Sequence, residues 1–297
     1  MAEGANDTLT AVPDVEVGHV TDVEAGTGVT VIALPTPNLG VVDIRGGGPG
    51  TRETAVLGEA IKPVPVDAIV FAGGSAFGLA AADGVVQELE RDGRGVPTPA
   101  GRVPIVPSAI IFDLMVGRSD VRPTADDGAA AYRRRSVAAV EQGSVGAGTG
   151  ATINKWGAIE DIRKAGIGSA AVAVGAATVG ALVVLNAVGN LADAPVVSLV
   201  DDDPTGPAFG LGTAQNTTLI AIVTDAGIGN PNELRRIAIR VHDALGAAIV
   251  PAHTRYDGDT AFVVSTGATD STADVDVVAE AAFAAVVRSI QRAVEHA

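Results

Sequence analysis

Apolar positions gather into short runs of Val, Ile, Ala and Leu, separated by glycine-rich turns and by a few stretches at helical spacing. The sharpest run is Asn216-Thr217-Thr218-Leu219-Ile220-Ala221-Ile222-Val223-Thr224-Asp225. A polar pair followed by β-branched residues and closed by Asp is the pattern of a buried strand with a small hydroxyl residue at its head. Residues 15–33 alternate β-branched positions around Gly26 and Gly28 and predict a first hairpin. Residues 41–44, 68–71 and 261–265 predict single strands, and 167–187 two strands of small and β-branched residues. Residues 104–116 predict a strand carrying Phe112 and Asp113 in its middle.

Helical periodicity appears in four places. Leu79, Ala82, Val86 and Leu89 share one face of a helix that Ser75 is expected to cap. Residues 125–140 predict a second helix. Asn230, Pro231 and Glu233 form a cap, a first-turn proline and a capping-box acid, with Gly246 expected just beyond the end. Leu234, Ile237, Ala238, Val241 and Leu245 are its buried face. Val278, Ala282, Val286 and Ile290 step by four through a final helix over 274–294. Residues 1–7 are expected to be a tail.

Composition narrows the function. The chain has 297 residues, 47% of them apolar but only 3% aromatic, so small aliphatic side chains build the interior. The apolar stretch over 170–188 is broken by Gly175, Thr178 and Gly180 and reads as strands, not a membrane span. No basic segment followed by an apolar one opens the chain, and a cytoplasmic protein is expected. Without cysteine there is no disulfide, thiolate catalysis or Cys-ligated metal. A formal charge of −15 opposes a nucleic-acid partner, whose phosphates need a basic face. Lysine is scarce, with Lys62, Lys155 and Lys164 alone, so Lys155 at the end of the glycine loop 143–157 stands out.

Residues 201–212, with two prolines, three glycines and a block of acids, have the composition of an exposed linker. A linker running into Thr217 at the head of a buried strand is what a self-cleaving precursor requires. Breaking the Asn216–Thr217 bond would give Thr217 a free α-amine beside its own hydroxyl, a recognised nucleophile and base pair. Other motifs fall short. The loop 45–53 lacks the lysine and hydroxyl of a phosphate cradle and reads as a tight turn. Ser75 lacks the glycine two residues later that a nucleophile elbow has. Asp257 and Asp259 lie in a tight turn, two carboxylates being too few for Ca²⁺, and His253 reads as structural.

Taken together, several motifs resemble the P1-family peptidases of the DmpA type, which include β-aminopeptidases and endo-acting nylon-oligomer hydrolases. They are Gly-Gly-Ser-Ala-Phe-Gly-Leu at 73–79, Pro-Ile-Val-Pro with Ile-Phe-Asp up to Asp113, the loop ending in Lys155, the Asn-Thr-Thr strand, and His-Thr-x-x-Asp-Gly-Asp-Thr at 253–260. The resemblance covers nearly the whole chain after about residue 15. It implies an α+β fold, a four-layer αββα sandwich of the N-terminal-nucleophile type, in one domain over 1–297. That domain would cut itself into 1–216 and 217–297, fragments that stay associated, in a homo-oligomer. By position it makes Thr217 the nucleophile, Asn216 the residue whose bond is cut, Lys155 the active-site lysine and Asn186 the oxyanion donor. Asp257 and Asp259 match the acidic pair of the nylon-oligomer branch. Phe112, a candidate substrate contact, stands where that branch has Tyr, so a hydroxyl donor is missing.

The function so implied is hydrolysis of linear amides, such as 6-aminohexanoate oligomers or ω- and β-amino acid peptides, with no cofactor, metal or membrane. The alternatives are a β- or D-aminopeptidase of the same family and an acyl transferase of the ornithine acetyltransferase type. A non-catalytic small-molecule or nucleotide-binding protein using the glycine loops is the more distant one.

Overall fold

A computed structural model describes residues 6–58, 63–156, 159–192, 216–269 and 273–297. The expected linker over 201–212 lies outside the described residues. In chain order the main elements begin with strands β1 (Glu16–Asp22), β2 (Thr27–Ala33), β3 (Leu39–Ile44), β4 (Thr51–Arg52) and β5 (Ala68–Ala72). Helix α1 (Ala81–Arg91), strand β6 (Ser108–Ile110) and helix α2 (Ala125–Arg133) follow. Then come β7 (Ile167–Val174), β8 (Ala177–Asn186), β9 (Thr217–Thr224), α3 (Pro231–Ala248), β10 (Thr260–Ser265) and α4 (Val275–Glu295).

Two five-stranded sheets result, one in the order β1-β2-β5-β6-β4 and the other β7-β8-β9-β10-β3. Most neighbours are antiparallel, with β5/β6 and β9/β10 the parallel pairs. Strand periodicity explains the layering, because successive side chains point to opposite faces. In β9, Leu219, Ala221 and Val223, with Phe262 of β10, face Ile69 and Phe71 of the other sheet. Ile220 and Ile222 face outward against Leu234, Ile237, Val278, Val286 and Ile290 of α3 and α4. On the other sheet Val29, Val31, Val70 and Ala72 pack against Ala81, Val85 and Leu89 of α1 and Ala131 and Tyr132 of α2. The order helix, sheet, sheet, helix is the expected αββα sandwich. Every residue of β9 is buried, since both faces of its sheet are covered.

Several local expectations are corrected. Only Ser108–Ile110 of the stretch 104–116 pairs as a strand, so Phe112 and Asp113 lie just past its end. Helix α2 stops at Arg133, where Ser136 instead bridges Val17 of β1. Ser75 does not cap: it opens a 3-10 turn with φ +54° and makes no capping hydrogen bond, while Gly74 holds the cap position. The most buried face of α1 is Ala81, Ala82, Val85 and Leu89, with Leu79 and Val86 at its flank. Asn230 does cap α3, accepting from the Asn232 N–H at 2.9 Å, but the helix runs through Gly246 to Ala248. Packing of Ala244 and Leu245 on the sheet outweighs the helix-ending tendency of that glycine. At the amino end, the Asp7 carbonyl accepts from the Ala171 N–H at 2.7 Å and its carboxylate pairs with Arg292, so Asp7 belongs to the fold. No helix among the described residues is long and apolar enough to cross a membrane.

Candidate active site

Thr217 opens β9 directly opposite Asn186, the last residue of β8. By strand alternation both side chains point with Leu219 and Val184 toward the other sheet, at the end of the inter-sheet layer. The remaining groups arrive on loops. Asn154 and Lys155 donate their main-chain N–H groups to the carbonyls of Gly189 and Val188, each at 2.8 Å, which fastens the glycine loop alongside the end of β8. This delivers Lys155 Nζ to Asn186 Oδ1 at 2.6 Å and to Asn216 Oδ1 at 2.7 Å.

Lys155 is 2% exposed. Burial pushes its amine down to about 7, against the opposing charges of Asp257 and Asp113. Near neutrality it is therefore divided between ammonium and amine. A neutral lysine has two N–H groups and one lone pair, so two amide oxygens can take both donors and leave the lone pair for a proton.

Asn216 forms a parallel bridge with Asp257. Its N–H donates to the Tyr256 carbonyl and its carbonyl oxygen accepts from the Gly258 N–H, both at 2.7 Å. The Thr217 hydroxyl also donates to that same carbonyl oxygen. Thr217 and Asn216 are each 2% exposed. A Cβ at Gly258 would lie 2.8 Å from Thr217 Oγ1 and 2.7 Å from the Gly48 carbonyl oxygen, so only glycine brings this N–H so close. The 45–50 loop supplies that Gly48 wall and is a structural turn, its Gly47 and Gly48 N–H groups donating to the Thr254 and Asp257 carbonyls.

The acidic pair holds the surrounding backbone. Asp257 accepts from the Val188 N–H at 3.1 Å and from the Thr254 N–H and hydroxyl at 3.0 and 2.6 Å. Burial and the neighbouring Asp259 charge push its carboxyl up to about 6. Asp259 accepts from the Thr218 N–H at 2.8 Å and from His253, whose Nδ1 lies 2.8 Å away. Burial lowers the His253 imidazole, but the hydrogen bond and charge of Asp259 outweigh it and leave it raised.

The structure thus brings Thr217, Asn216, Lys155, Asn186, Asp257 and Asp259 together. The Asn186 amide donates to the Phe112 carbonyl at 3.2 Å, and the N–H that meets the Asn216 carbonyl is that of Gly258. Phe112 therefore enters through its main chain. Sequence reasoning gave no role to Gly258, Asp113 or Lys164. Asp113 accepts from the Thr27 hydroxyl at 2.8 Å and the Gly74 N–H at 2.7 Å, and burial raises its carboxyl. Lys164, pushed down to about 8 by burial, donates to the carbonyls of Thr149 and Ala151. Placement between two acids was the only signal for Gly258, and scarcity the only one for Lys164.

A model of peptidase family S58 matches residues 7–297. A protein of Mycobacterium leprae named as an uncharacterized aminopeptidase is 41% identical over 302 residues, spanning 91% of this chain and 81% of that protein. The 6-aminohexanoate-oligomer endohydrolase of Paenarthrobacter ureafaciens is 33% identical over 281 residues, 87% of this chain and 74% of that protein. In fold, the chain is similar to the L-aminopeptidase D-Ala-esterase/amidase of Ochrobactrum anthropi, described as a variant of the Ntn hydrolase fold. The TM-score is 0.75 at 22% identity, covering 98% of this chain and 86% of that one.

Proposed function

The chain belongs to peptidase family S58 and is a hydrolase of amide bonds, and on that footing we propose that it is a self-cleaving amidohydrolase with Thr217 as nucleophile. In the first step the Thr217 Oγ attacks the Asn216 carbonyl carbon. The carbon–nitrogen bond breaks, the hydroxyl proton passes to the departing nitrogen, and an Asn216 ester with a free Thr217 α-amine results. Water then splits the ester into an Asn216 carboxylate and the restored hydroxyl. In the mature enzyme the α-amine, with an ordinary pKa of about 7.7–8.0, is the general base for substrate amides. A cationic Lys155 nearby would lower it further.

One observation carries the reading: the carbonyl that the Thr217 hydroxyl touches also accepts from a preorganised backbone donor, Gly258 N–H, at 2.7 Å. Donors at about 2.7–3.1 Å from the position of a developing oxyanion are how acyl-transfer sites stabilise the tetrahedral state. Asn186 is the second candidate donor, once its amide turns from Phe112. Lys155 is the candidate proton acceptor before an α-amine exists, and Asp257 and Asp259 anchor the strand ends. The substrates are linear amides with an amino group on the acyl side. They include 6-aminohexanoate oligomers, named for the Paenarthrobacter relative, and aminoacyl amides, as the word aminopeptidase implies for the Mycobacterium one.

Intact mass after incubation near neutral pH tests it. Fragments of 216 and 81 residues, the second beginning at Thr217, are expected. An uncut chain whose amide hydrolysis survives Thr217→Ala would overturn it.

A further inference from the structure

The carbonyl that Thr217 attacks in its own chain and the carbonyl it attacks in a substrate must take the same place relative to one hydroxyl. The residue now in that place is Asn216, and among the described residues both its main chain and its side chain are held. Its N–H donates to Tyr256 and its carbonyl accepts from Gly258, each at 2.7 Å. Its side-chain Oδ1 accepts from Lys155 Nζ at 2.7 Å. The first two are rungs of the parallel bridge to Asp257 and read the main chain of any extended L-residue. The third reads the side chain. We infer that the slot vacated by Asn216 is an acyl subsite selecting L-α-aminoacyl groups with a side-chain oxygen on the γ carbon, as in L-asparaginyl. This rests on Thr217 being the nucleophile and goes beyond it by naming the acyl group.

The physical reason lies at Lys155. Its buried Nζ is shared between two amide oxygens, and departure of Asn216 takes one of them away. A polar group left short of a partner in a water-poor site is costly, and an acyl group that restores the oxygen recovers that cost. L-Leucyl has nearly the shape of asparaginyl and no oxygen. A 6-aminohexanoyl group offers neither an α-nitrogen for the Tyr256 carbonyl nor an oxygen at the γ carbon. The Gly258 N–H that holds the acyl carbonyl is itself fixed, because Gly48, Pro49 and Thr217 close on Gly258. An α-ammonium or an acylated α-nitrogen can each donate to Tyr256, so chain ends and internal residues both fit.

In turnover, Thr217 Oγ forms the ester with the acyl carbon, the leaving amine takes the proton, and water releases the free acid. The test compares kcat/KM of the mature protein on the 4-nitroanilides of L-asparagine, L-leucine, D-asparagine, β-alanine and 6-aminohexanoic acid. L-Asparaginyl is expected to exceed L-leucyl and D-asparaginyl by about tenfold to a hundredfold, the worth of a hydrogen bond to a charged group. Equal rates for asparaginyl and leucyl, or a preference for 6-aminohexanoyl, would overturn the subsite and leave the hydrolase standing. No turnover of any anilide would overturn both. Self-cleavage gives an independent reading, because Asn216→Leu should form fragments at least tenfold more slowly, and an unchanged rate in that variant counts against the subsite.

Discussion

Asn186 and Thr217 are partners across the antiparallel pair β8/β9, so a hydroxyl and an amide meet at the mouth of the inter-sheet layer by strand register alone. A slip of β9 by one residue would send Thr217 to the helix side of the sheet and part it from Asn186. Register is held by the hydrophobic pattern behind them, with Leu219, Ala221 and Val223 on one face and Ile220 and Ile222 on the other. The chemistry and the packing are thereby the same decision.

Gly258→Ala should slow fragment formation at least tenfold while leaving the fold intact. The added Cβ, 2.7 Å from the Gly48 carbonyl oxygen and 2.8 Å from Thr217 Oγ1, forces the Gly258 turn to shift locally and takes its N–H and the hydroxyl out of line with the Asn216 carbonyl. Gel densitometry of the two fragments over time measures it, with circular dichroism confirming the fold. A wild-type rate would show that the close approach at Gly258 is dispensable.

Under the proposed self-cleavage, Lys155 as base gives the rate a pH dependence. Its pKa near 7 means the proton-accepting amine is scarce at pH 6 and dominant at pH 8. The rate is expected to rise about tenfold over that interval and then level off. The stability sign runs the same way: the folded chain binds fewer protons on this group than the unfolded one between pH 7 and about 10.4, so stability from this group rises with pH there. Lys155→Met should abolish the pH-dependent rise. A rate flat from pH 5.5 to 8.5 in the natural protein would remove Lys155 as base.

Asp259→Asn should destabilise the protein by about 1.5–3 kcal/mol, the range for hydrogen bonds to a charged group, because Thr218 N–H and His253 both bond to this carboxylate. The paired imidazole is raised, so its contribution is full below the unfolded pKa of about 6.5 and is lost as pH rises through the folded value. Urea titrations at pH 5.5 and 8.5 should show a larger loss for the variant at the lower pH. Equal losses at both would mean that the pair carries no charge.

Phe262→Ala separates packing from chemistry. The ring is fully buried between the sheets, its centroid 6.0 Å from that of Phe71. Its removal should cost about 3–5 kcal/mol in chemical denaturation. Fragments should still form at low temperature, since no group at Thr217 is touched.

Much of this was legible in the sequence. Continuous β-branched and small-residue runs in 216–225 and 167–187 and four-residue steps in 274–294 gave strands and a helix close to those observed, because both faces or one whole stripe of each element is buried. Failures fell where local signals compete with distant partners. The run to Val140 reads as helix, yet Ser136 bonds to β1, and Gly246 reads as a stop, yet α3 continues while its apolar face has sheet to cover. Thr217, Lys155, Asn186 and the acidic pair became candidates through motifs occurring together. What only the tertiary structure decided is how they meet. Strand pairing sets Asn186 against Thr217, a loop fastened to Val188 and Gly189 buries Lys155 and so lowers its amine, and a turn with no room for a Cβ aims the Gly258 N–H at one carbonyl. Sequence records residue types and their periods, whereas burial and the direction of an N–H belong to groups brought together from distant parts of the chain.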